Sequence, residues 1–309
     1  MRTNMVQFPV ISDQLMLQRL AHPKRSVRMV LDTDTFNEID DQFAVVYAMK
    51  SPESVTVEAF YAAPFYNDLS SGPKDGMEKS YNELLKIAGH LPEMAGIPVH
   101  RGSEGYLPGA ETPVESAAAR DLVERAMASS EEDPLYVVAI GAITNVASAI
   151  LMEPRIIERI VVVWLGGHAL HWRDTAEFNL HQDLHASRVI LNSGVPLVLI
   201  PCMGVTSHLH TTLAEVEKFV KDKGSVGRYL YETFRDCSKD HFGYSRVIWD
   251  ISTIAYLVNP DWTPSTLIHS PLLSEDFHFS IDNTRHFIRI VDHVHRDGVF
   301  SDLFRKLED

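Results

Sequence analysis

Val30-Leu31-Asp32-Thr33-Asp34-Thr35-Phe36-Asn37-Glu38-Ile39-Asp40-Asp41 runs directly into Gln42-Phe43-Ala44-Val45-Val46-Tyr47-Ala48-Met49. An apolar run stops at Asp32 and a helix-like run starts near Asp40, so a strand, an acidic turn and a helix follow one another without a gap. Asp32, Asp34, Glu38, Asp40 and Asp41 crowd that turn. Two like charges about 4 Å apart repel by roughly 4 kcal/mol even at an effective dielectric of 20. Either water screens the acids on an open loop, or a cation lies between them. The open loop accounts for Asp40 and Asp41, which favour the positive end of the following helix. It does not account for Asp32 and Asp34 at the end of a buried-looking strand, where ligand sites of parallel α/β sheets lie. Carboxylates without Cys or His suit Ca2+ or Mg2+ rather than zinc. An EF-hand is excluded, because Asn37 stands where that loop requires its Gly and Phe43 where it requires its last Glu.

The alternation continues along the chain. Val55 to Ala62 reads as a strand, Glu78 to Ile87 as a helix after the breakers Gly72, Pro73 and Gly76, and Ile97 to His100 as a short strand. Thr112-Pro113-Val114-Glu115 has the form of a capping box, predicting a helix from there to Ala128. Leu135 to Ile140 and Ile160 to Leu165 are apolar throughout, as strands covered on both faces must be, with a helix over Asn145 to Met152 between them. Leu184 to Asn192 reads as a helix and Pro196 to Ile200 as a strand. A second capping box, Thr212 to Glu215, opens a more helical portion, with helices near Val226 to Phe234, Asp250 to Val258 and Ser301 to Leu307. Phe277 to Ile281 and Phe287 to Val291 are expected to pair as strands. The pattern predicts one α/β domain over 1–309: an open, mostly parallel (mixed) Rossmann-like sheet, helices on both faces, and a helical C-terminal portion.

Composition narrows the function classes. The 309 residues are 45% hydrophobic and 23% charged, with 28 Lys plus Arg against 42 Asp plus Glu and a formal net charge of -14. That balance favours neither nucleic acid nor an anionic membrane. Cys202 and Cys237 lack metal-type spacing and are expected to be reduced thiols. No stretch has the length of a membrane span and Met1 to Leu20 lacks a continuous apolar core, so the expected location is the cytoplasm.

A strand ending in Asp-x-Asp, a short loop and Asp-Asp at a helix start resembles the calcium-dependent nucleoside hydrolases, the inosine-uridine preferring and purine nucleoside hydrolase family, which cleave the N-glycosidic bond of ribonucleosides. The loop here, Thr35 to Ile39, is longer than the family's and lacks its Pro-Gly. Gly141-Ala142-Ile143-Thr144-Asn145 resembles the family's Gly-Pro-Leu-Thr-Asn turn, Trp164-Leu165-Gly166-Gly167 and Ala176-Glu177-Phe178-Asn179 its Met-Gly-Gly and Ala-Glu-Phe-Asn elements, and Trp249-Asp250 its late calcium ligand. The resemblance implies a Ca2+ ion held by Asp34, Asp41, Asp250 and the main-chain carbonyl of Ile140, with a bound water activated by Asp34. It implies Asp40 on the 2′ hydroxyl and Glu177 and Asn179 on ribose hydroxyls, mainly at the 5′ end, with Asp32 in support. Where the family commonly has a sugar-binding Asn, this chain has His171, and Asn67 is the counterpart offered for another. Trp249 stands where the purine-specific branch stacks a Trp on the base, with Phe65, Tyr66 or Tyr106 as its opposing aromatic, and His241 is the leaving-group acid. The implied partners are a nucleoside and further copies of the chain in a homo-oligomer, dimer or tetramer, in a role in nucleoside salvage.

Three other readings compete. A haloacid dehalogenase-type phosphatase also ends its first strand in Asp-x-Asp, but its further acids follow a later strand, whereas Asp40 and Asp41 share the first turn. A nucleoside- or sugar-binding protein of the same fold would keep the metal and lose turnover. His168, His171, His181 and His185 bring zinc to mind, yet their spacing places no clear ligand set on one face.

Overall fold

The computed structural model describes residues 6–308. Its main sheet contains β1 (Val27–Thr33), β2 (Val55–Ala62), β3 (Val99–Arg101), β4 (Leu135–Ala139), β5 (Ile160–Leu165), β6 (Leu197–Ile200), β7 (Ser265–His269) and β8 (Phe287–Val291). In space the order is β3-β2-β1-β4-β5-β6-β8-β7, parallel throughout except for the antiparallel edge strand β7. This is the mixed, mostly parallel sheet that the alternation of elements predicts.

Period-two burial explains why both faces are covered. Met29 and Leu31 of β1, Val138 of β4, and Val161 and Val163 of β5 pack into one core, with Phe43, Leu230 and Ile254. Their neighbours Val30, Val137, Val162 and Trp164 point the other way into a second core, with Leu122, Val146 and Ile190. The first face is therefore covered by α2 (Asp40–Met49), α9 (Gly224–Asp236) and α10 (Ile251–Val258), and the second by α4 (Ala117–Ala128), α5 (Thr144–Met152) and α7 (Leu184–Asn192). The remaining helices are α1 (Asp13–Leu20), α3 (Pro73–His90), α6 (Phe178–Gln182), α8 (Leu213–Phe219) and α11 (Arg296–Lys306). No helix among the described residues is long and apolar enough to cross a membrane.

Strand order reverses between β1 and β4, which lie side by side with Asp32 opposite Ala139, and the Ile140 amide donates to the Asp32 carbonyl at 2.9 Å. Such a switch point opens a crevice beyond the carboxyl ends of the strands. Asp34 and Ile140 sit at its lip.

Four local expectations change. The helix expected from Thr112 begins at Ala117 instead, because Ser116 is the residue that caps it, accepting from the Ala119 amide at 3.0 Å. Ser148 of α5 takes the Val114 amide at 3.1 Å and holds that segment out of the helix. Thr212 does cap α8, but Glu215 turns away to Thr211 and Arg296 rather than closing a capping box. Phe287 to Val291 does not pair with Phe277 to Ile281. With Ile288 and Val291 buried on opposite faces it belongs inside the sheet, between β6 and β7, while Phe279–Ser280 pairs with Leu272–Leu273. Finally, Pro73 and Gly76 do not precede α3 but form its first turn, Pro being well suited to that position.

Gly76 is required by contact rather than by dihedral freedom, since a Cβ there would lie 2.0 Å from the Phe65 carbonyl oxygen. Gly→Ala inside a helix ordinarily stabilises by about 0.5–1 kcal/mol. Gly76→Ala is predicted to do the opposite, costing about 1–3 kcal/mol through overpacking against main chain. A urea midpoint above that of the wild type would contradict this.

Candidate active site

The crevice is built by β1 delivering Asp34 and α2 beginning at Asp40. Within the longer loop the Asn37 amide closes a turn on the Asp34 carbonyl at 2.7 Å, and Gln42 Nε2 donates to the Thr35 carbonyl at 2.7 Å. Two outside groups hold the loop: Asn67 Nδ2 donates to Asn37 Oδ1 at 2.6 Å and Arg246 pairs with Glu38 at 2.8 Å. Arg246 belongs to the segment leading to Trp249 and Asp250, so the pair ties the two acidic parts of the site together.

Asp34, Asp40, Asp41 and Asp250 are 1%, 3%, 2% and 3% exposed. Ligand oxygens of Asp40, Asp41 and Asp250 lie within 4.8 Å of one another. Thr33 Oγ1 donates to Asp41 at 2.5 Å and the Trp249 amide to Asp40 at 3.1 Å, whereas Asp34 Oδ2 is buried with no partner. Burial, then mutual repulsion, pushes the carboxyls of Asp34 and Asp250 well above the usual range. Asp40 is raised likewise by burial and the nearby Glu38 and Asp41, with Arg246 pulling the other way. Asp41 is pushed up to about 7, chiefly by burial. Such a set does not ionise fully without a cation.

The facing wall comes from the ends of β4 and β5 and the start of α6. Glu177 caps α6, accepting from the amides of Asn179 at 2.9 Å, Leu180 at 3.0 Å and Gly167 at 3.0 Å; burial pushes its carboxyl up to about 7 despite them. Asn179 therefore lies in the first turn of α6, and its Nδ2 donates to the carbonyls of Ile140 at 3.3 Å and Leu165 at 3.1 Å. Between the walls is a cavity of about 270 Å³, lined by Asp34, Asp40, Asp41, Asp250, Ile140, Glu177, Asn179 and Trp249. Its size is near the lower end for small-molecule sites.

Several expected residues are not brought there. His241 stays outside, its Nε2 against the Arg235 carbonyl at 2.8 Å and its ring near Phe234 and Tyr244. His171 is exposed, because the turn from Ala169 to Trp172 carries it outward against Gly204. His168 lines the cavity in its place. The signal for His168 in the sequence is its position directly after Gly166-Gly167 at the end of an apolar strand. Asn67 reaches Asn37 rather than the cavity, and the aromatic ring facing the cavity besides Trp249 is Phe178, not Phe65, Tyr66 or Tyr106.

The family model for inosine-uridine preferring nucleoside hydrolases matches residues 29–298. The pyrimidine-specific ribonucleoside hydrolase RihA of Klebsiella pneumoniae is 28% identical over 262 residues, covering 75% of this chain and 80% of that protein. An uncharacterized protein of Schizosaccharomyces pombe is 25% identical over 260 residues, covering 76% of this chain and 81% of its own. Among solved structures, a plant nucleoside hydrolase shares the fold with a TM-score of 0.72 at 18% identity, over 93% of this chain and 99% of its own. A purine-preferring ribonucleoside hydrolase from Gardnerella vaginalis does so with a TM-score of 0.70 at 18% identity, over 91% and 98%. With the match running from β1 into α11 and taking in every segment that builds the crevice, the chain belongs to the inosine-uridine preferring nucleoside hydrolase family, a family of ribonucleoside hydrolases.

Proposed function

We propose that this crevice hydrolyses the N-glycosidic bond of ribonucleosides, with purines favoured, around a Ca2+ ion held by Asp34, Asp41, Asp250 and the Ile140 carbonyl. The observation that carries the reading is the buried acidic set with its orphaned Asp34 Oδ2. An all-oxygen set fits a hard cation, and the roughly six to eight ligands of Ca2+ exceed what these groups supply. When bound, such an ion would supply positive charge that offsets the carboxylates and would polarise the hydroxyl and water oxygens beside it.

The chain's own groups do the rest. Loss of the base leaves oxocarbenium character on the ribose, which buried carboxylates stabilise. Asp34 Oδ2, free of other hydrogen bonds, takes the proton of the attacking water as the new C1′–O bond forms and the C1′–N bond breaks. Asp40, whose Oδ2 already accepts from the Trp249 amide, accepts from the 2′ hydroxyl. Trp249 stacks on the departing base, and Glu177 and Asn179 close the sugar side. With His241 outside the cavity, the base departs with the C1′–N electron pair, its charge spread over the ring stacked on Trp249, and takes its proton from solvent, to which Asp34 in turn gives up the proton of the water.

Three outcomes are predicted. The first concerns the metal-free protein. Folding raises the carboxyl pKa of Asp41 from about 4 to about 7, so the folded state binds its proton more tightly and stability falls as pH rises through that window. Melting temperature after chelation should be lower at pH 8 than at pH 5, and added Ca2+ should restore more at pH 8. A Ca2+ response that is equal at both pH values would contradict an ion among these acids.

Asp41→Ala should abolish nucleoside hydrolysis in a reducing-sugar assay while leaving melting temperature nearly indifferent to chelator, because it weakens the site and relieves repulsion together. Retention of wild-type turnover would sink the proposed ligand set.

Trp249→Ala should lower kcat/KM for inosine more than for uridine, by roughly tenfold or more, since stacking is worth about 1–3 kcal/mol per base and a purine offers the larger face. An equal loss on both substrates would make Trp249 a packing residue.

A further inference from the structure

The amino ends of β1 and β4, opposite the crevice, border another cavity, of about 400 Å³. Its walls are the segment from Gln18 to Val27, which precedes the start of the family match at residue 29, and the turn from Glu132 to Tyr136. Arg19, in the last turn of α1, lines it and is 4% exposed. Among the described residues only Nη2 of its guanidinium has an acceptor, the Glu158 carbonyl at 3.1 Å, while Nε is buried with no partner. Glu131 and Glu132 are exposed and favour the charge of Arg19 from the surface without pairing with it; burial outweighs them and pulls the guanidinium below its usual pKa. A buried cation without a counter-charge is costly, far more so than an unpaired neutral group. Holding one main-chain carbonyl accounts for one nitrogen of the fork and leaves the others without a role.

Further donors line the same space. Tyr136 lies close enough to Arg19 and Arg25 for both to act on its hydroxyl, and burial pushes its pKa up to about 12, so it is a neutral phenol able to donate. Lys24 is exposed and forms no ion pair among the described residues. The acids of the wall are engaged elsewhere. Asp133 is shared between Arg25 at 3.0 Å and Arg28 at 3.6 Å, and Glu132 is exposed, its main-chain carbonyl accepting from Arg25. A guanidinium, a phenol and an ammonium around one cavity match an occupant that only accepts, and the arginine fork suits the oxygens of a phosphate. Inorganic phosphate would leave part of the space empty, and Ala21, Pro23 and Pro134 line it with apolar surface against which a small carbon skeleton packs.

We propose that this cavity is a binding site for phosphate, free or as the monoester of a small molecule, with Arg19, Lys24 and the Tyr136 hydroxyl donating to the phosphate oxygens. The site lies at the opposite end of β1 and β4 from the acidic crevice and uses none of its groups, so it stands or falls independently of the hydrolase reading. Arg19 comes from α1 and Tyr136 from β4, so an occupant ties the segment ahead of the family match to the central sheet.

The test is calorimetric titration of the full chain with inorganic phosphate and with ribose 5-phosphate. At least one of them should bind the wild type, and Asp41→Ala, altered only in the crevice, should bind it with the same affinity. Arg19→Met keeps the buried stem and removes the fork, and should weaken binding by about tenfold or more; Lys24→Ala and Tyr136→Phe should each weaken it by about threefold. Tighter binding of ribose 5-phosphate assigns the site to phosphate monoesters, and equal or weaker binding assigns it to free phosphate. Absence of binding by both titrants overturns the proposal, as does an affinity unchanged in Arg19→Met. Should that variant not fold, Lys24→Ala, an exposed change, and Tyr136→Phe, which removes one oxygen, decide in its place, and unchanged affinity in both overturns the site. Binding that is lost in Asp41→Ala also overturns it, since the phosphate would then be held in the crevice.

Discussion

Repulsion among four buried carboxylates is the constraint on which the rest of this structure depends. Asp34, Asp40, Asp41 and Asp250 come from three places in the chain and meet where water is largely excluded. The fold offers little to offset them. The positive end of α2 is worth about 0.3–1 kcal/mol to an acid beside it, a fraction of the roughly 4 kcal/mol by which each close pair repels. Hydrogen bonds from Thr33 and the Trp249 amide serve Asp41 and Asp40, and Arg246 is spent largely on Glu38. An arrangement this unfavourable for the empty protein is what a cation site requires, because strain in the free state becomes affinity in the bound one.

Asp32, the first acid of the turn, does something different. It does not line the cavity; its Oδ1 accepts from Asn145 Nδ2 at 2.7 Å, and that side chain in turn accepts from the Ser103 amide at 2.7 Å and hydroxyl at 2.9 Å. Asn145 Nδ2 also reaches the Ala62 carbonyl at 3.2 Å. One buried amide thus ties together the ends of β1 and β2, the loop after β3 and the first turn of α5. This strut fixes the relation of Asp34 to Ile140, so errors in either β1 or the Gly141 turn are transmitted to the acidic set.

The longer acidic loop is an ordered wall rather than slack. Anchored by Asn67 and Arg246, it stands between the cavity and a second groove of about 710 Å³, and Asn37 and Glu38 line both. A half-exposed ion pair of this kind contributes little to global stability, about 0–1 kcal/mol. Its consequence is geometric, because it spans 208 positions in sequence to join the loop before Asp40 to the segment before Trp249.

What the sequence determined by itself is whatever depends on neighbours within one turn of chain. The abrupt change from apolar strand to acids to helix located the crevice, the doubly buried runs at β4 and β5 implied a parallel sheet, and the short motifs named the right segments for most of the cavity lining. Tertiary structure decided the rest. Ser148 moved the start of α4, and burial of Ile288 and Val291 on opposite faces drew β8 into the sheet, contacts that no local pattern encodes. The choice between His168 and His171 belongs to the same class. Both are imidazoles in one short loop, and only the docking of that loop against Met203 and Gly204, more than thirty residues away, turns one ring into the cavity and the other to solvent.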